Sequence, residues 1–294
     1  MKIRLLVLLS LLAPLPLLAD GEHPVSMWLV EGDRNRVYLL GSVHLLRKQD
    51  HPLPDVIEAA YADAEALVME LDMDDLDPVA IQAETNRIGV LRDGRTLADL
   101  MGAGPYADAA ETAATLEIPL DLLGSTEPWF AALTVQQLVL TRIGFNPLYG
   151  IEMHMAMKAS QDGKAIEGLE TVEEQLAFLD GLSIDAQREF LLQVLRDGET
   201  LETDMDALIT AWRNGDTAFL EREMLAEIQA SDELYEALLA ERNRRWLAAI
   251  TGLLDDDDDY LVVVGAAHLI GDDGVPALLE ARGIRTQQMR EGDE

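Results

Sequence analysis

Val37-Tyr38-Leu39-Leu40-Gly41-Ser42-Val43-His44 is a short apolar run closed by glycine, two further residues and histidine. The pattern returns far along the chain as Tyr260-Leu261-Val262-Val263-Val264-Gly265-Ala266-Ala267-His268. An apolar run of about four to eight residues bounded by polar turn residues reads as a buried strand. The glycine allows the chain to turn sharply off the strand end. Each imidazole is then expected just past the carboxyl end of a sheet strand, where open α/β folds build their ligand sites. Two such histidines converging on one crevice make half of a metal or acid–base centre. The alternative is a pair of unrelated loop histidines.

Working outward, Ser26 to Val30 pairs with Arg36 to Leu40 as a β-hairpin across the turn cluster Glu31-Gly32-Asp33-Arg34-Asn35. Val56, Ile57, Ala60 and Ala64 recur at helical spacing within Pro52 to Ala64. Ala66 to Leu71 reads as the next buried strand and Lys164 to Leu169 as another. Helices are expected over Pro78–Ile88, Thr96–Met101, Tyr106–Leu116, Pro128–Leu140 and Tyr149–Ser160, then continuously from Thr171 to about Leu253. Val275–Ala281 is a final helix and Ile284–Met289 a final strand. The fold class is α/β, a central mixed sheet flanked by helices. Large helical insertions fall at roughly 77–160 and 171–253. Strand, Gly-x-x-His, helix, strand occurs once near each end and suggests a duplicated core.

Composition bounds the function. The 22 basic and 55 acidic residues give a net charge of −33, which repels nucleic acid and anionic lipid surfaces and attracts cations and basic peptides. Lys2 and Arg4 precede the apolar stretch Leu5 to Leu18, and Ala19 before Asp20-Gly21 is a plausible cleavage point. Residues 1–19 therefore read as a secretory signal peptide and 20–294 as one domain, periplasmic or secreted, with no membrane segment after signal removal. The chain has no cysteine, which excludes thiol nucleophiles and zinc–thiolate sites. It also lacks a Gly-x-Ser-x-Gly elbow, a His-Glu-x-x-His pair, a P-loop and a Gly-x-Gly-x-x-Gly fingerprint. The acid runs Asp255–Asp259 and Asp72–Asp77 lack the spacing of a calcium loop and read as a solvated turn and a helix cap.

Besides His44 and His268, two acids fall at strand ends, Glu70 and Glu170. A carboxylate set against an apolar strand is costly unless paired, ligated or exposed. Two imidazoles with one or two carboxylates suit a divalent transition metal with an open position for water. Glu70 and Glu170 are alternatively helix caps, the latter beside the Thr-x-x-Glu pattern of Thr171 to Glu174. Glu152 and His154 lie two apart on one helix and point in different directions, so at most one of them reaches a given site. Arg242 and Arg245 share a helix face and either clamp a carboxylate or bridge the surrounding acids.

Tyr38 to His44 followed by Val68-Met69-Glu70-Leu71-Asp72 resembles the opening of the TraB/GumN family. Gly168-Leu169-Glu170-Thr171 with Glu174-Gln175-Leu176 resembles its middle. Glu241-Arg242-Asn243 with Trp246, then Val264-Gly265-Ala266-Ala267-His268-Leu269, resembles its end. The resemblance extends from about Trp28 to Met289 and reaches the TIKI metalloproteases and the erythromycin-esterase and ChaN-like superfamily. It implies a metal centre of His44, His268 and a central acid, Glu170 or Glu152, with Glu70 and Arg242 in catalytic roles. The implied cofactor is a divalent transition metal (Mn, Co or Zn), and the implied partner is a peptide or small-molecule substrate. Two other classes stay open: a non-catalytic peptide-binding or inhibitory module of the same fold, and a metal-free esterase using His44 as general base.

Overall fold

The computed structural model describes residues 23–229 and 231–293. The expected signal peptide lies outside them. The described strands are β1 (Pro24–Glu31), β2 (Arg36–Ser42), β3 (Ala66–Leu71), β4 (Ile166–Glu170), β5 (Tyr260–Gly265) and β6 (Gln287–Arg290). They form one mixed sheet in the order β4-β3-β5-β2-β1-β6. Strands β4, β3, β5 and β2 run parallel, while β1 is antiparallel to both β2 and β6. The expected α/β class with helical insertions is the observed architecture.

Every residue of β5 is buried, as expected for a central strand covered on both faces. Its neighbours β2 and β3 hold Leu39, Leu40, Leu67 and Met69 in the same core. A second apolar cluster, with Leu97, Ala131, Val135 and Leu191, packs among the inserted helices away from the sheet.

Of the two Gly-x-x-His glycines, Gly265 stands where the chain leaves the sheet, as expected, but Gly41 does not. β2 continues through Gly41 to Ser42, and β5 ends at Gly265 itself. Gly41 is needed for close approach. A Cβ there would lie 3.1 Å from Cα of Ala266 and 3.2 Å from the carbonyl oxygen of Ser26. The Gly41 carbonyl accepts a bond from the indole N–H of Trp212 at 2.6 Å. The two patterns are therefore packed on one another, with Ser42 in register beside Gly265.

The acidic runs behave as structural turns. Asp77 accepts from the backbone N–H groups of Val79 and Ala80 and caps the helix Pro78–Gly89. Asp259 accepts from the backbone N–H of Arg36, and Asp257 pairs with Arg34. Among the described residues, no helix is long and apolar enough to cross a membrane.

Candidate active site

The parallel strands β2, β3, β4 and β5 end along one edge of the sheet, the edge where open α/β folds bind ligands. Glu70 lies near the end of β3, and Glu170 is the last residue of β4. His44 follows β2 by two residues. His268 lies on the short 3₁₀ turn Ala266–Leu269 that follows β5. The topology thus brings together four groups scattered over most of the chain.

Gly265 marks where they meet. A Cβ at Gly265 would lie 3.3 Å from Oε1 of Glu70, 3.5 Å from Cδ2 of His268 and 3.6 Å from Nε2 of His44. The backbone N–H of Gly265 donates to the same Glu70 oxygen at 2.8 Å. Nε2 of His268 is 3.8 Å from that oxygen.

Arg242 binds the inner side of the cluster. It stands in the helix Glu241–Leu253, which continues directly from the π-helical turn Glu236–Ala240. Its Nη2 donates to Glu70 at 2.6 Å and to Glu170 at 2.9 Å, and its Nε donates to both oxygens of Glu170. Its Nη1 donates to Nε2 of His268 at 3.1 Å and to the carbonyl of Leu238 at 3.2 Å. The Glu170 side chain has no solvent exposure. A buried carboxylate of that kind survives only with a charged, hydrogen-bonded partner. Glu170 is therefore neither a helix cap nor an acid turned toward the Gly265 space. The cap of the next helix is Thr171, whose hydroxyl accepts from Glu174 N–H. Gln175, which carried no role in the sequence, donates to Glu70 at 3.1 Å. Arg245 turns outward to Glu174 at 2.6 Å.

Glu152 reaches the site from the helix Ile151–Asp162, and His154 does not. A Cβ on Gly150 would fall 2.0 Å from the carbonyl oxygen of His44, so only glycine lets this helix start against the Val43–His44 segment. That contact places Oε1 of Glu152 2.7 Å from Nδ1 of His44, and the Ser42 hydroxyl donates to the same oxygen. Oε2 of Glu152 is buried without a partner. His154 points instead to Glu58 at 3.1 Å.

The charges follow from these contacts. The Glu152 carboxylate pushes His44 up to about 9. Burial brings His268 down to about 3, so it is neutral at pH 7. Burial opposes ionisation of Glu70, but the charges of His268, Arg242 and His44 and the Gly265 N–H outweigh it, bringing Glu70 to about 2. His268 makes stability pH-dependent. Its folded value lies below the ordinary 6.5, so the unfolded chain binds the proton first, and stability falls as pH drops from about 6.5 toward about 3. Urea unfolding between pH 6.5 and 5, above the carboxylate range, is expected to show a slope of up to about 1.4 kcal/mol per pH unit from this group. His268→Gln should flatten it, and an unchanged slope would contradict the buried neutral state.

The family model described as TraB/PrgY/gumN matches residues 26–288. The chain belongs to the TraB/PrgY/gumN family. Within that family it is 26% identical over 270 residues to YbaP of Escherichia coli (strain K12), covering 88% of this chain and 94% of YbaP. The YbaP of Shigella flexneri matches to the same extent. It is 23% identical over 335 residues to a zebrafish (Danio rerio) protein named metalloprotease TIKI2, covering 90% of this chain and 62% of that one. No solved structure matches.

The donors fit a divalent ion in type. At the cradle that a Gly265 side chain would fill, Oε1 of Glu70 and Nε2 of His44 are donors of the right kind, while His268 presents Cδ2 and its Nε2 already accepts from Arg242. Among the described residues, no three His, Asp or Glu side chains stand close enough to hold an ion as they are. Gly265 has φ −50°, which alanine adopts freely. Gly265→Ala should therefore leave stability within about 1 kcal/mol, since its contacts are tight but not prohibitive. It should abolish uptake of any ion or ligand that enters between Glu70, His44 and His268. Unfolding curves and bound-metal assays check the two halves, and undiminished uptake would place the binding site elsewhere.

Proposed function

We propose that this chain is an exported, metal-dependent hydrolase acting on peptides, working at the cluster beside Gly265. The observation that carries this reading is the convergence of His44, Glu70 and His268 on a single point from three different strand ends. The name of the zebrafish relative supports it. His44 and His268 would supply the imidazole donors, and Glu70 the carboxylate.

A divalent ion bound there would polarise the scissile carbonyl and make a bound water more acidic. Glu70 is ionised well below neutral pH and is anchored by Gly265 and Arg242. It serves as ligand or proton acceptor without first losing a proton of its own. The guanidinium of Arg242 is fixed by two carboxylates and costs no reorganisation when negative charge develops nearby. The surface charge favours a cationic peptide.

One observation favours a second reading, a non-catalytic peptide-binding module of the same fold. The Arg242 guanidinium already lies among Glu70, Glu170 and His268, where a cation would otherwise balance the acids.

The test uses protein purified without chelator, assayed for metal content and against peptide libraries. Turnover that chelator removes and Mn²⁺, Co²⁺ or Zn²⁺ restores is the expected result. Tight binding without turnover selects the module, and chelator-insensitive turnover selects the esterase. Either outcome overturns the proposal.

A further inference from the structure

The segment that leaves β2 beyond His44 walls a cavity of about 260 Å³ against the helix Leu201–Arg213. Two arginines line it, and they differ in what they bind. Arg47 is taken up by acids: it pairs with Asp50 at 3.0 Å and with Asp206 at 2.7 Å, which engages both carboxylates of the wall. Arg213 binds only backbone carbonyls among the described residues. Its Nη1 donates to Asp50 O at 2.9 Å and to Pro52 O at 3.1 Å, and its Nη2 donates to Pro52 O at 3.1 Å. A guanidinium carries five N–H donors in one rigid plane. The Pro52 oxygen takes the pair at the outer end, one from each Nη, and the Asp50 oxygen takes the other N–H of Nη1. What remains is the side pair, Nε–H and the second N–H of Nη2, which run parallel and have no partner among the described residues. Neutral carbonyls cancel no charge, so Arg213 keeps its own.

We propose that the side pair of Arg213 binds the carboxylate of a small ligand in this cavity. Two parallel N–H donors match the two oxygens of a carboxylate, and paired, charge-assisted bonds of this kind are the strong ones. The carbonyls of Asp50 and Pro52 already hold the guanidinium, so binding does not have to immobilise a free side chain. The volume suits a ligand smaller than a drug-sized one, such as a short organic acid or the last residue of a peptide. Charge narrows the choice further. Arg47 and Arg213 balance Asp50 and Asp206, so a singly charged carboxylate enters against less repulsion than a doubly charged phosphate. The site shares no residue with the Gly265 cluster and does not rest on the metal-dependent reading. Its carbonyl anchors nevertheless belong to the same segment as His44, which precedes Arg47 by three residues.

The experiment reads the guanidinium directly, through the arginine Nε–H signals in NMR of the isotope-labelled protein. The probes are acetate, N-acetylalanine, N-acetylalanine amide and inorganic phosphate. Acetate and N-acetylalanine should shift the Arg213 signal saturably, the amide should leave it in place, and phosphate should bind more weakly than acetate. Tighter binding of N-acetylalanine than of acetate marks a peptide C-terminus as the source of the carboxylate, and equal binding marks a free small acid. Arg213→Lys keeps the charge and can still reach the carbonyls but loses the parallel pair. By calorimetry it should weaken N-acetylalanine binding about 10- to 100-fold, the loss expected for hydrogen bonds to a charged group. Thr210→Phe, which fills the cavity from the exposed face of its helix and leaves Arg213 intact, should abolish binding. It decides the matter should Arg213→Lys fail to fold. Equal shifts from the amide, a response that does not saturate, or undiminished affinity in either variant overturns the proposal. Loss of the hydrolase reading leaves all of these measurements in force.

Discussion

Arg242→Met is expected to destabilise the protein by about 3–5 kcal/mol, the usual result of stripping the partner from a buried carboxylate. The Glu170 side chain is fully buried, and three of the hydrogen bonds it accepts come from Arg242. Methionine fills much of the same volume but leaves that charge with only a 3.4 Å contact to Gln175. Glu70 loses its 2.6 Å bond at the same time. Denaturant unfolding monitored by circular dichroism measures the loss. The double variant Arg242→Met/Glu170→Gln should recover a large part of it, because the stranded charge is gone. A loss below about 1 kcal/mol in the single variant would show that the cluster is solvated rather than buried.

The second large effect is on turnover. His44→Asn puts an amide N–H close to where Nδ1 stands and deletes Nε2, the atom facing the Gly265 space. The His44 side chain is 61% exposed but is the charged partner of the more buried Glu152, so some stability should be lost, less than in Arg242→Met. If the hydrolase reading holds, kcat/KM on a peptide substrate should fall on the order of a thousandfold, typical for loss of a group acting on the reacting atoms. His268→Asn should give a similar loss of turnover but a visible drop in stability, since His268 is buried against Trp246 with ring centroids 4.4 Å apart. Activity retained in His44→Asn would remove His44 from the chemistry.

Much of the fold could be read from the chain because its strands are strongly marked. Ala66–Leu71 and Val275–Ala281 have the expected bounds, and β5 extends the expected run by only Gly265. Periodicity does not encode strand order. Nothing local indicates that β5 inserts between β3 and β2, although that insertion is what brings His268 beside Glu70. The final strand begins three residues later than expected, at Gln287, because Ile284 closes a turn with Leu279.

The site was legible in its residue types and less so in their roles. His44, Glu70, Glu170, Arg242 and His268 are all at the expected edge of the sheet. The sequence offered Arg242 as a clamp on a carboxylate of the substrate or of the site, or as an internal salt bridge, and its buried pairing with Glu70 and Glu170 turns it on the site's own acids. Gln175 and Asn243 were read only as parts of the family motifs and given no role, because neutral amides carry no charge signal. Glu152 and His154 could be told apart only by the start of their helix, which depends on Gly150 passing the His44 carbonyl.

The placement of β5 also bears on how the molecule is made. The middle of the sheet is built from residues 260–265, which leave the ribosome well after β2 and β3. Until then β2 and β3 have no shared neighbour, and the inserted helices must wait on an open frame. Contacts between such distant segments make for slow folding. A nascent chain halted before Tyr260 would carry His44 and Glu70 on strands not yet joined, so any activity should switch on only after β5 has emerged.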